Sequence, residues 1–85
     1  MDYEKDSFGT IIAEVRKQKG WTQPQLAAKI KVDPIYLCNV EKNKKIPSID
    51  LAEKLVMVLG LDRKPSLFLI LRTKYPTLSD IFTIL

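Results

Sequence analysis

The side chains from which catalytic centres are usually assembled are nearly absent. The chain has no histidine and a single cysteine, Cys38, and it carries no glycine-rich phosphate loop and no cluster of carboxylates. A serine or cysteine nucleophile would therefore lack a base, and one thiol without an imidazole cannot complete a zinc set. The residues imply no enzyme, no metal and no cofactor. What they do supply is positive charge. Between Arg16 and Lys45 stand eight basic residues against two acidic ones, a net +6, while the rest of the chain carries −2. The chemistry open to such a segment is neutralisation of a polyanion; the alternative is a lysine-rich surface that is merely solvated.

Within that segment, "DPIYLCNVEK", residues 33 to 42, has a sharply marked helix start. Asp33 is an N-cap and Pro34 occupies the first helical position, where its missing N–H does no harm. Around the wheel Leu37, Val40 and the near side of Glu41 share one face, and Ile35, Cys38, Asn39 and Lys42 share the opposite one. The first face suits a core. The second mixes apolar groups, an amide and a lysine, and something other than the core must meet it.

The elements that hold this stretch are all helical. Phe8, Ile11, Ile12 and Val15 recur at i, i+3, i+4 and i+7, with Ser7 or Asp6 as cap and Gly20 just past the end. A second helix starts at Thr22, where "TQPQ" forms a capping box with Gln25 and Trp21 can staple onto Leu26. Only "KVD" separates it from the third, so the two must turn sharply as in a helix-turn-helix unit, with Ala27 at their closest approach. A fourth begins at Ser48, buries Ala52, Leu55, Val56 and Leu59, and stops at Gly60. After Pro65, "SLFLIL" is apolar all round and needs cover on more than one face. The tail "TLSDIFTIL" repeats at helical spacing, with Thr77 and Asp80 as a possible capping box.

The 85 residues suffice for one domain with a modest core. No run reaches the roughly 18 apolar residues that span a bilayer, and the start "MDYEKDSFG" is too acidic for a signal peptide. A cytoplasmic protein without a membrane association is expected, and a lone cysteine forms no internal disulfide.

From about Phe8 to Leu61, and above all in "GWTQPQLAAKIKVDPIYLCNVEKNKKIPSIDLAEKLVMVLGL", the sequence resembles the Cro/CI-type (XRE) helix-turn-helix domain of phage repressors and bacterial regulators. The resemblance implies an all-α, five-helix lambda-repressor-like fold with a short C-terminal helix, residues 1–61 being the helix-turn-helix DNA-binding part and residues 62–85 a helical extension of the same domain that would serve dimerisation. It further implies that the third helix enters the major groove of double-stranded DNA while the second crosses above it. Carried over, Thr22 and Gln23 would bind a phosphate at a helix N-terminus. Pro34, Ile35, Cys38 and Asn39 would face bases, and Tyr36 would reach a phosphate or sugar. Lys42, Asn43, Lys44 and Lys45 would grip the backbone. Arg16 and Glu41 match a family pair that ties the recognition helix to the scaffold.

Two departures qualify this. Many members carry glycine where this chain has Lys31, because the turn takes positive φ, and a lysine there costs on the order of 1 kcal/mol. On the recognition face only Asn39 pairs a donor with an acceptor, so sites leaning to A·T and partly read through DNA shape are expected. Cys38 admits a second reading as a redox-sensitive thiol beside lysines. The resemblance to phage repressors implies a repressor role, and a homodimer joined through Leu67, Phe68, Leu71, Leu78, Ile81, Phe82 and Leu85 would bind a near-palindromic operator. Otherwise the tail folds back on its own chain. The competing function is an antitoxin or adaptor that uses the same fold to grip a protein partner.

Overall fold

A computed structural model describes residues 7–74, which form five α-helices and, among the described residues, no strand: α1 Phe8–Gln18, α2 Gln23–Ile30, α3 Pro34–Glu41, α4 Ile49–Leu59 and α5 Arg63–Lys74. The first four starts are set by local chemistry. Ser7, Thr22, Asp33 and Ser48 each accept a hydrogen bond from a main-chain N–H in the first turn of the helix they precede. At Thr22 the box is reciprocal, since Gln25 Oε1 accepts the Thr22 N–H at 2.8 Å. Each such cap contributes about 1 kcal/mol.

Two helix ends are just as local. Gly60 closes α4 in the left-handed region at φ 69°. Lys31 does the same for α2 at φ 60° without being glycine, the strained turn that the sequence leads one to expect.

Phe8, Ile11, Ile12 and Val15 of α1 meet Leu26, Ala27 and Ile30 of α2, Leu37 and Val40 of α3, Ala52, Leu55 and Leu59 of α4, and Leu69 and Ile70 of α5 in one core. Ala27 of α2 is fully buried in this core, so a larger side chain there would force its neighbours apart.

The fifth helix differs from its expected form. It begins at Arg63, before Pro65, because a proline in the first turn lacks only an N–H that has no intrahelical acceptor. Its apolar run is also less uniform than it reads. Ser66, Leu69 and Ile70 turn inward against the core, and Leu67, Phe68 and Leu71 are half-buried. The hydroxyl of Ser66 is fully buried with no hydrogen-bond partner. Leu78, Ile81, Phe82 and Leu85, and the tail helix that would carry them, lie outside the described residues. No helix of the described residues is long and apolar enough to cross a membrane.

Candidate nucleic-acid interface

The third helix is held from behind by polar groups as well as by the core. Arg16 of α1 pairs with Glu41 through two parallel hydrogen bonds, Nε to Oε2 at 2.8 Å and Nη2 to Oε1 at 2.9 Å. Its remaining nitrogen, Nη1, donates to the carbonyl of Trp21 at 2.8 Å. Both residues are 8% exposed. The hydrogen bonds that Arg16 donates to Glu41 raise its pKa against the opposing pull of burial, so the guanidinium stays charged at any pH the fold would meet. Because the shift is upward, the stability it reports is complete below the ordinary arginine range and would fade only above it.

Gln23 joins the same knot. Its Nε2 donates to Glu41 Oε1 at 2.9 Å, so the side chain expected at a phosphate also ties the start of α2 to the end of α3. The cap consumes other donors at that terminus. Pro24 has no N–H, and the Gln25 N–H goes to Thr22 Oγ1 at 3.2 Å. An anion at the N-terminus of α2 would therefore be met by the Gln23 main-chain N–H and the Thr22 hydroxyl proton. Beside them, the ammonium groups of Lys19 and Lys29 lie 5.5 and 4.6 Å from the centre of the half-buried Trp21 ring.

On the front of α3, Pro34, Ile35 and Lys42 are exposed, Ile35 to 73%, while Tyr36, Cys38 and Asn39 are half-buried. Tyr36 leans onto the core from one flank. A shallow depression brings Ile35, Tyr36 and Asn39 together with Asp33 and Lys45. The Asp33 carboxylate is committed to capping, accepting the Ile35 N–H at 2.7 Å. Such a surface offers an amide that can bond adenine on two atoms, an aliphatic group that suits a thymine methyl, and a cation within reach of a phosphate.

Lys42, Lys44 and Lys45 are exposed in the loop that follows, and the main-chain N–H groups of Lys44 and Lys45 both donate to the Asn39 carbonyl, at 2.9 and 3.2 Å. Asn43 breaks the pattern. It is exposed like the lysines, but its side chain also reaches α1, where Oδ1 accepts the Gly9 N–H at 3.2 Å. Gly9 was not legible as a site residue. A Cβ there would stand 2.2 Å from the Val40 carbonyl oxygen and 2.6 Å from Asn43 Oδ1, so only glycine lets α1 approach the end of α3. The one signal in the sequence was an isolated glycine inside a helical pattern.

Comparison with known proteins agrees with this architecture. A helix-turn-helix family model matches residues 12–64. An uncharacterised HTH-type transcriptional regulator of Methanothermobacter thermautotrophicus (strain Delta H) is 33% identical over 61 residues, which cover 72% of this chain and 88% of that protein. No solved structure gives a significant match. With the short α2–α3 turn, the five-helix order and the family match in agreement, the chain belongs to the Cro/CI-type (XRE) helix-turn-helix family.

Proposed function

We propose that the chain is a sequence-specific regulator of transcription that binds double-stranded DNA by inserting α3 into the major groove. The observation that carries this reading is the shared depression of Ile35, Asn39 and Lys45, an amide able to pair with a base edge and a cation able to meet a phosphate on one surface. The +6 charge of the Arg16 to Lys45 segment supports it. In this reading Asn39 bonds a base, and Pro34, Ile35 and Cys38 supply apolar contact. Thr22, Gln23, Tyr36, Lys42, Lys44 and Lys45 hold the backbone, and Arg16 with Glu41 keeps α3 in place.

We further propose that the chain acts as a homodimer and as a repressor. Leu67, Phe68 and Leu71 of α5, half-buried in the monomer, would form the described part of the interface. A two-fold pair would set the recognition helices about 34 Å apart on a near-palindromic operator. Sedimentation of the full chain tests this, and a monomer at high concentration that binds single half-sites as well as palindromes overturns it.

Ile35, at 73% exposure, favours a second reading, an antitoxin or adaptor whose third helix grips a protein. Selection of bound genomic fragments followed by a salt titration separates the two. DNA binding predicts affinity falling steeply with salt, whereas an apolar protein interface responds little. On a selected site, Asn39→Ala should cost about 1 to 3 kcal/mol and little on other sequences, while Lys45→Ala should weaken all sequences alike. Site preference that survives Asn39→Ala would remove the base-reading role.

A further inference from the structure

The first turn of α1 has main-chain donors without intrahelical acceptors, and two of them are capped from different places. Ser7 takes the Thr10 N–H from next door, at 3.4 Å. The Gly9 N–H goes to Asn43, 34 residues away in sequence. The same amide group reaches the Thr10 hydroxyl through Nδ2 at 3.5 Å, and that hydroxyl lies 2.8 Å from Ser7 Oγ. Asn43 holds this position from a left-handed backbone, φ 61°, which asparagine tolerates better than most residues. Directly after it come Lys44 and Lys45, whose N–H groups are anchored on the Asn39 carbonyl. The loop is thus pinned at two points, to α1 through a side chain and to α3 through the main chain.

We propose that Asn43 is a positioning residue, fixing Lys44 and Lys45 for phosphate contact by latching the α3–α4 loop onto the first turn of α1 at Gly9. Resting on the DNA-binding reading, this gives Asn43 a different task from the phosphate contact that family resemblance implies. The latch sets the offset between the two lysines and the base-reading face of α3. Asn43 acts through the lysines and touches no DNA itself.

Asn43→Gly is the informative variant, because glycine keeps the left-handed backbone and deletes only the side-chain latch. Two measurements on the full chain test the proposal. In the first, amide hydrogen exchange, Gly9 should exchange about tenfold faster in Asn43→Gly while Ile12 speeds up by no more than about fivefold, the change that the global loss of stability alone would give. In the second, affinity for a random 20-base-pair duplex should fall about threefold to tenfold, with a shallower dependence on salt. The same substitution in a Lys44→Ala, Lys45→Ala background should change affinity by less than about twofold. An equal loss in both backgrounds would mean that Asn43 itself contacts the duplex and would overturn the proposal. So would unchanged Gly9 exchange, or unchanged affinity in the single variant. If the unsubstituted chain bound no duplex at all, the DNA-binding reading would fall and the positioning role with it. The Gly9 exchange result would still report whether the latch exists, which keeps the two failures apart.

Discussion

The two turns that flank α3 share a backbone conformation and differ in what supports it. Lys31, in the α2–α3 turn, sits at φ 60°, and Asn43, in the α3–α4 loop, sits at φ 61°. Lys31 is exposed, and its backbone makes the hydrogen bond that ends α2, so the left-handed cost is offset by the cap alone. Asn43 adds a side-chain bond to a buried glycine of another helix. One turn is a local stop. The other is a tertiary joint, and its left-handed residue is worth more than its φ angle suggests.

That difference can be broken or sharpened by substitution. The largest effect is expected at the knot that holds α3 between the turns: Glu41→Ala would leave the Arg16 guanidinium buried without its partner and cost about 3 to 5 kcal/mol of stability, read in urea melts. Loss of DNA binding at unchanged stability in Arg16→Ala would instead move Arg16 to the phosphate contacts. Gly9→Ala should follow, at about 1 to 3 kcal/mol, because the new methyl meets main-chain carbonyls of α3 that cannot retreat without moving the helix. A neutral Gly9→Ala would mean that the α3–α4 loop is not a joint. The same denaturation experiment should show opposite signs at the two left-handed residues. Lys31→Gly is expected to stabilise by about 0.5 to 1 kcal/mol by relieving strain, whereas Asn43→Gly should destabilise by about 0.5 to 1 kcal/mol through loss of the latch. Equal signs at the two sites would erase the distinction. Outside both turns, Ser66→Ala should be neutral or slightly stabilising, by less than about 1 kcal/mol in thermal melts, since the hydroxyl it removes is buried without a partner.

Capping made most of the helices readable in advance. Ser7, Thr22 with Gln25, Asp33 and Ser48 lie within three residues of the groups they bond, and Gly60 follows directly on the helix it closes. The start of α5 was harder, because Pro65 reads as a first residue although a proline fits anywhere in a first turn.

The division of the α3 surface into an inner and an outer face was equally legible, because helical periodicity is a property of one segment. The charge of the middle of the chain was legible for the same reason. What only the tertiary structure decided are the polar bonds between distant segments: Gln23 on Glu41, 18 residues apart, and Asn43 on Gly9, 34 apart. The link from Arg16 to Glu41, 25 residues apart, was foreseen through family resemblance and not from the residues themselves. A polar side chain in a loop reads the same whether it points to solvent or to a helix brought near by folding. Its partner is set by the packing of α1 against the end of α3, and that packing depends on a core assembled from all five helices.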